Sequence, residues 1–282
     1  MTNCEQKLTP GMESQTPGFR DERIDSVKFW LVFLVIAAHV TMRKEFADSV
    51  ACAVLWNWMN VFIMPLFIFI SGYFSRKKDK KDFWPGIWKL LEPLVVFQVV
   101  ALLFYGKPLT IKSILTPWYM LWYLLSLVCW RLLLQVVPDK ILSHAKLILA
   151  GMFCVSLLIG FVPFFGRALS LQRTFSMMPF FFLGYFMKGR NLYLPDKYKP
   201  LCMLFLTGIL AIASLFFHHR INDLYYATPY QSIHGAAIRM ISFALAVPMS
   251  IAFVNVFCKP KWAARQGKMT LQYYIFHALV IP

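Results

Sequence analysis

The sequence predicts an all-α fold, a polytopic transmembrane helical bundle with about nine spans, and three observations support this fold class. Hydrophobic residues make up 59% of the 282 residues and charged residues only 15%. Mean hydropathy is +0.58, which is high for a soluble domain. Many apolar runs approach the roughly 20 residues with which an α-helix crosses a bilayer. These features favour an integral membrane protein over any soluble class.

The apolar runs define the expected spans in chain order. They are 27–43, 50–74, 86–105, 118–137, 145–165, 174–188, 200–217, 236–257 and 270–282. The last run, TLQYYIFHALVIP, has only about half the length of a span. We therefore expect residues 20–282 to form a single membrane domain that is truncated at its C-terminal helix, and a complete protein to have about ten spans.

The N-terminal segment 1–19 differs from the rest of the chain. It is polar, lacks hydrophobic periodicity and contains two Pro-Gly pairs. This composition predicts a disordered tail. It does not match a cleaved signal peptide, because no charged start and small-residue cleavage site precede the first span.

The basic residues predict that this tail is cytoplasmic. Positively charged loops stay in the cytoplasm, and most of the 29 Lys and Arg residues fall on the side of the N-terminus, including the run RKKDKKD. The outer set is Arg43, Lys44, Lys107, Lys112, Arg167, Arg173, Arg220 and Arg239. This asymmetry and contact with anionic membrane lipids account for the net charge of +16 without a nucleic-acid partner.

The cysteines give no sign of a metal centre. They are spread one per segment, without a CxxC motif or a nearby cluster of histidines, at Cys4, Cys52, Cys129, Cys154, Cys202 and Cys258. Structural zinc sites need such clusters. We therefore expect no metal.

His39 is the strongest candidate for a functional residue. It lies twelve residues after Val27 inside the first apolar run, where an ionisable side chain is costly and marks a functional site by default. Asp25 and Lys28 lie at the cytoplasmic mouth of this run and share one helix face with His39. The alternatives are a neutral histidine bonded to a neighbouring helix and an interfacial Asp-Lys pair. We expect this face to line a cavity.

Four segments resemble the membrane acyltransferase-3 family. RIDSVKFWLVFLVIAAHV is similar to its first-helix signature, in which Asp is followed three residues later by Arg or Lys and then by an apolar stretch that ends in His. PLFIFISGYFSRKK, residues 65–78, resembles the second-helix motif. MMPFFFLGYFMKGR and LQYYIFHAL resemble a Phe-rich middle helix and the terminal helix. The four segments occur in order over nearly the whole chain.

The resemblance implies a multi-pass enzyme of the bacterial inner membrane. Such an enzyme moves an acetyl group from cytoplasmic acetyl-CoA to a hydroxyl of a cell-envelope carbohydrate. His39 is then expected to act as a general base or as an acyl carrier, with Asp25 and Lys28 on the same helix. Many relatives carry Arg where this chain has Lys28, which lacks the bidentate fork of Arg.

The chemistry of acyl transfer indicates which side chains contact the substrates. Ser71, Tyr73 and Arg173 are expected to donate hydrogen bonds to the developing oxyanion, and the alternative role of Arg173 is an interfacial anchor. Arg76 is expected to meet the phosphates of the donor at the inner face, and its alternative role is an ordinary positive-inside charge. His277, inside the last span, is a second site candidate.

Two aromatic regions have open interpretations. Trp and Tyr at 56–58, 118–123 and 225–230 fit interfacial belts. The outer connection 218–234 mixes His, Asp, Asn and aromatic residues as a carbohydrate surface does, and an ordinary extracellular loop has the same composition.

Two other classes of function are compatible with these residues. A transporter or flippase of a sugar-lipid or a small anion would use His39 as a proton relay, but the internal repeat that is typical of transporters is not evident. A non-catalytic scaffold would leave Asp25, Lys28 and His39 replaceable. The sequence leaves the acceptor and the oligomeric state open.

Overall fold

The computed structural model describes residues 21–163, 168–230 and 232–280, so the expected disordered tail lies outside the described residues. Within these ranges the chain is helical and contains no β-strand. The α-helices are α1 (Glu22–Val40), α2 (Val50–Tyr73), α3 (Lys80–Phe104), α4 (Ile111–Leu115), α5 (Trp122–Val136), α6 (Asp139–Leu142), α7 (Ala145–Leu158), α8 (Leu171–Phe186), α9 (Lys199–Phe216), α10 (His234–Phe257), α11 (Lys261–Gln266) and α12 (Thr270–Val280). The predicted all-α class is confirmed.

Each expected span overlaps one of the longer helices. Four helical stretches are long and apolar enough to cross a membrane, namely Val50–Tyr73, Lys80–Phe104, Asp196–Phe216 and His234–Phe257. Two shorter apolar helices cover Trp122–Val136 and Ala145–Phe161. The number of spans stays a prediction, because length and composition alone do not establish which of the remaining helices cross the bilayer.

The first helix begins earlier than its apolar run. The side chain of Asp21 accepts a hydrogen bond from the backbone N–H of Arg23, which is a typical N-cap. Glu22 and Asp25 lie in the first turn, where negative charge is favourable. The helix therefore starts at Glu22 instead of residue 27, because its polar residues form a capped first turn.

The fourth expected span also differs at its start. We expected a helix from residue 118, but α5 begins at Trp122. Residues 118–121 form a turn instead, closed by a hydrogen bond from Leu121 N to Trp118 O at 2.9 Å, and Tyr119 has a left-handed backbone with a φ of 50°. The buried side chain of Gln98 on α3 accepts a hydrogen bond from Trp118 N at 2.7 Å. This contact gives the Trp118 N–H a partner outside any helix.

Two glycines bring α2 and α8 into close contact at the centre of the bundle. A Cβ atom on Gly72 would lie 1.9 Å from the carbonyl oxygen of Phe181. A Cβ atom on Gly184 would lie 2.0 Å from the carbonyl oxygen of Phe69. Small residues allow membrane helices to approach each other in this way. The backbones of α2 and α8 are therefore in direct contact at these two glycines.

The outer helices α3 and α9 present apolar side chains to their surroundings. Among the largely exposed residues are Trp88, Leu103, Phe104, Leu204 and Leu215. In water these surfaces would be costly, whereas lipid tails are as apolar as the side chains themselves. The exposure pattern is therefore that of a membrane protein.

Candidate active site

A cavity lies among α1, α2, α8 and α12 and is bordered by the turn before α5 and by the connection between α9 and α10. It has a volume of about 60 Å³ and is partly open to the surroundings. Its polar and aromatic walls are His39, Trp56, Asn60, Tyr119, Trp122, Arg173, Tyr226 and Tyr274, and the other lining residues are apolar. A largely apolar pocket with a few convergent polar groups is typical of a ligand site.

His39 lies on the wall of this cavity, near the end of α1, and His277 of α12 is its neighbour. Their ring centroids are 5.6 Å apart, and the ring of Tyr119 lies 4.7 Å from that of His39. His39 Nδ1 and His277 Nε2 are both enclosed and have no hydrogen-bond partner among the residues that the structure describes. Packing against rings therefore holds the imidazole of His39.

The backbone contact of His277 identifies its tautomer. His277 Nδ1 lies 3.0 Å from the carbonyl oxygen of Tyr273. Because a carbonyl oxygen only accepts hydrogen bonds, Nδ1 is the donor, and the neutral ring carries its lone pair on Nε2. His277 is buried and does not line the cavity. It is placed to accept a hydrogen bond from its neighbour.

Arg173 brings a positive charge to the same cavity. It lies in the first turn of α8, and its guanidinium carbon is 4.8 Å from the centroid of the Trp122 ring. This distance is typical of a cation–π contact. The side chain is only 9% exposed, so its charge acts in a region from which most water is excluded.

Asp25 and Lys28 form an ion pair at the other end of α1. Lys28 Nζ lies 3.4 Å from Asp25 Oδ1, and the Asp25 side chain is almost fully buried. Asp25 and His39 are fourteen positions apart, which corresponds to about 21 Å along the helix axis. Neither Asp25 nor Lys28 lines the cavity. The helix face that carries Asp25, Lys28 and His39 therefore extends over two separate regions of the molecule.

The end of α2 lies close to this ion pair. Lys28 Nζ is 5.0 Å from the centroid of the Phe74 ring, next to the basic segment that contains Arg76. The Arg76 side chain is exposed. Two of the expected site residues, Lys28 and Arg76, are therefore at one end of the bundle.

Ser71 and Tyr73 are bonded within the bundle and do not line the cavity. Ser71 Oγ donates to the carbonyl oxygen of Phe67 at 3.0 Å and lies 2.5 Å from the hydroxyl oxygen of Tyr123. The hydroxyl of Tyr73 donates to the carbonyl oxygen of Arg190 at 3.1 Å. Of the three expected oxyanion donors, the cavity thus contains only Arg173.

The outer connection supplies part of the cavity wall. The amide of Asn57 on α2 donates to His219 O at 2.8 Å and accepts from Ile221 N at 2.9 Å. These bonds hold the segment that carries Leu224 and Tyr226, both of which face the cavity. Burial raises the pKa of the Tyr226 phenol to about 12, so this wall residue stays protonated at neutral pH.

Several lining residues were not expected from the sequence as site residues. Trp56, Tyr119, Trp122 and Tyr226 fall within aromatic segments that we had interpreted as interfacial belts. Their hydropathy is the same at a belt and at a cavity wall. The signal that separates Tyr119 from a belt residue is the conformation of its backbone, which hydropathy does not contain.

Comparison with known proteins agrees with the sequence motifs. A family model described as an acyltransferase domain, Acyl_transf_3, matches residues 21–282. No curated protein and no solved structure matches the chain. The match covers nearly the entire sequence and includes every helix described above. The chain therefore belongs to the membrane acyltransferase-3 family and is a membrane acyltransferase.

Proposed function

We propose that this acyltransferase moves an acetyl group from acetyl-CoA to a hydroxyl of a cell-envelope carbohydrate, and that His39 is its general base. The observation that carries this proposal is the meeting of His39 and Arg173 in one cavity, with the second imidazole of His277 5.6 Å from the first. Transfer to an alcohol needs a proton acceptor and a charge that stabilises an oxyanion. These two residues supply both.

The proposed reaction begins with the neutral form of His39. Because Nδ1 is the enclosed nitrogen, Nε2 is the atom that meets the acceptor. Nε2 takes the hydroxyl proton while the sugar oxygen forms a bond to the thioester carbon. The guanidinium of Arg173 stabilises the resulting oxyanion. The carbon–sulfur bond then breaks, and the thiolate of CoA takes the proton from the imidazolium, so that an ester and a free thiol leave.

His277 has a positioning role in this scheme. A small movement of the His39 ring brings its Nδ1–H within hydrogen-bonding distance of the lone pair on His277 Nε2. This hydrogen bond fixes the tautomer in which His39 Nε2 is the proton acceptor. An acyl-histidine relay uses the same arrangement, with Nε2 as the nucleophile. Rapid acid quenching distinguishes the two routes, because only the relay leaves labelled acetyl on the protein.

The proposed substrates fit the two ends of the molecule. Aromatic rings stack on the faces of sugars, and the cavity has four such walls in Trp56, Tyr119, Trp122 and Tyr226. At the opposite end, Lys28 and Arg76 provide positive charge for the phosphates of a cytoplasmic donor. This arrangement supports a bacterial inner-membrane location with the N-terminus in the cytoplasm.

The test is transfer of radiolabelled acetyl from acetyl-CoA into envelope glycans by inverted membrane vesicles. Vesicles that contain the inserted protein are expected to label the glycan, and vesicles from cells without it are not. Absence of label, in a sample with verified insertion and with the host's own glycans, would contradict the proposal. Uptake of a labelled sugar-lipid under those conditions would favour transport instead.

Lys28 offers a separate prediction. Lys28→Arg is expected to keep the transfer rate, because the positive charge beside Asp25 remains. Lys28→Met is expected to lower the melting temperature in detergent, because it removes the ammonium group 3.4 Å from a buried carboxylate. Lys28 lies about 16 Å from His39 along the helix, so the Met variant is expected to keep most of the transfer rate at saturating acetyl-CoA although its melting temperature falls. Equal melting temperatures for the Met and Arg variants would contradict this assignment.

A further inference from the structure

The imidazole of His39 has no hydrogen bond to the residues that the structure describes, although its orientation decides whether a base can act. A general base is usually oriented by a bond to its second ring nitrogen. Here two rings contact it, and the nearer one belongs to Tyr119 at a centroid distance of 4.7 Å and an interplanar angle of 38°. Tyr119 also lines the cavity.

Tyr119 has a backbone conformation that bulky residues rarely adopt. Its φ is 50°, in the left-handed region, and outliers of this kind persist only where the surrounding structure determines them. A relaxed backbone at this position would point the ring elsewhere. The strained conformation is therefore tied to the placement of the ring against His39.

Side chains from two helices hold the residues on both sides of Tyr119. The amide nitrogen of Gln98 donates to Ser113 O at 2.7 Å and to Thr116 O at 3.0 Å, and its oxygen accepts from Trp118 N. On the other side, the hydroxyl of Tyr274 donates to Met120 O at 2.7 Å. Gln98 and Tyr274 are both buried.

The ring of Trp118 adds a further restraint before Tyr119. It stacks on Tyr105, with centroids 5.2 Å apart and an interplanar angle of 23°. Both backbone neighbours of Tyr119 are thus fixed: Trp118 by Gln98 of α3 and by Tyr105 directly after α3, and Met120 by Tyr274 of α12. A strained residue held from both sides is a rigid support, whereas a free loop would let the ring move.

We infer that Tyr119 is a positioning residue for His39, and that the hydrogen bonds of Gln98 and Tyr274 keep its ring in place. This inference rests on the proposed function of His39 as the base. The face of the Tyr119 ring restricts the imidazole to the orientation in which Nε2 meets the acceptor and Nδ1 remains near His277. The support comes from the ring, so a phenyl ring at this position provides it equally.

The test compares Tyr119→Ala with Tyr119→Phe in the membrane-inserted protein. For Ala, kcat is expected to fall at least about tenfold with an unchanged KM for acetyl-CoA, because a displaced base slows the chemical step. For Phe, kcat is expected to stay near the wild-type value. The matched control is Tyr198→Ala, because Tyr198 is an exposed aromatic residue that does not line the cavity. This variant is expected to keep the wild-type kcat and KM.

A second readout does not depend on transfer. Diethyl pyrocarbonate modifies accessible imidazoles, and mass spectrometry gives the rate at each histidine. His39 is expected to react several times faster in Tyr119→Ala than in the wild-type and Phe proteins, while exposed His144 reacts equally in all three. An unchanged rate at His39 would overturn the inference whatever the activity is.

Two other outcomes also overturn the positioning role of the ring. Wild-type transfer by Tyr119→Ala would show that the ring is dispensable, and loss of transfer by Tyr119→Phe would assign the effect to the hydroxyl. Failure of the proposed function is separate from these results, because the wild-type protein would then transfer no acetyl group while the modification rates still report the contact.

Discussion

His39→Ala is expected to lower acetyl transfer at least about 100-fold, because removal of a general base typically costs a factor of this size or more. The variant is expected to insert and fold normally. Its side chain makes no hydrogen bond to the described part of the protein, and one wall of its site is a cavity. The measurement is transfer of labelled acetyl by vesicles that contain equal amounts of inserted protein.

The matched control for this experiment is His144→Ala. His144 is an exposed histidine between α6 and α7, outside the cavity. Its replacement is expected to leave the rate unchanged. If a well-inserted His39→Ala protein transferred acetyl as fast as the control, the role of His39 as base or as acyl carrier would be wrong.

Gly72→Ala and Gly184→Ala are expected to destabilise the protein strongly, each by about 1–3 kcal/mol, the usual cost of forcing extra volume into a packed interior. The added methyl group would lie 1.9 Å from Phe181 O in the first variant and 2.0 Å from Phe69 O in the second. These neighbours are backbone atoms, so α2 and α8 have to move apart. The measurement is thermal unfolding in detergent, monitored as the loss of monodisperse protein with increasing temperature.

The chain contains suitable controls for this prediction. In the described part of the chain, an added Cβ on Gly151 of α7 or Gly208 of α9 would have no heavy atom within 4 Å apart from its own residue, its chain neighbours and the nearby backbone of its own helix. Gly→Ala at these positions is expected to be neutral or slightly stabilising, because alanine is the better helix former. Equal melting temperatures for the Gly72 and Gly151 variants would contradict the close approach of α2 and α8.

Hydropathy was sufficient to predict where the longer helices are, but it did not predict the short helices α4, α6 and α11. Every expected span overlaps a longer helix, because an apolar run in lipid satisfies its backbone only as a helix. The errors occur at helix ends, where hydrogen bonds to polar side chains determine where the helix begins. Asp21 caps α1 earlier than the apolar run begins, and Gln98 holds Trp118 in a turn where a helix was expected.

The site was predictable only in part. Depth along the first and last helices was enough to select His39 and His277, and the structure brings these two residues together. We expected the face of α1 that carries Asp25, Lys28 and His39 to line a cavity. His39 lines it, whereas Asp25 and Lys28 do not, because a helical face indicates direction but not which neighbouring helix contacts it at each depth.

Arg239 shows what a count of charges cannot reveal. We had assigned it to the outer basic residues by its position near the start of an apolar run. In the structure it is fully buried, and Nη1 donates to Ser156 O at 2.9 Å and Ser176 Oγ at 3.0 Å. The rings of Tyr226 and Tyr230 lie on its guanidinium. Such partners are distant in sequence, so only the fold identifies them.

The most direct test of the central claim is a double-mutant cycle on the transfer rate, with His39→Gln, His277→Gln and the double variant. If the two imidazoles act as one unit, the double variant is expected to be no slower than His39→Gln alone, because effects within a unit are not additive. Rate losses that multiply, in proteins with equal insertion and melting temperature, would show that the two histidines act independently and would contradict the account.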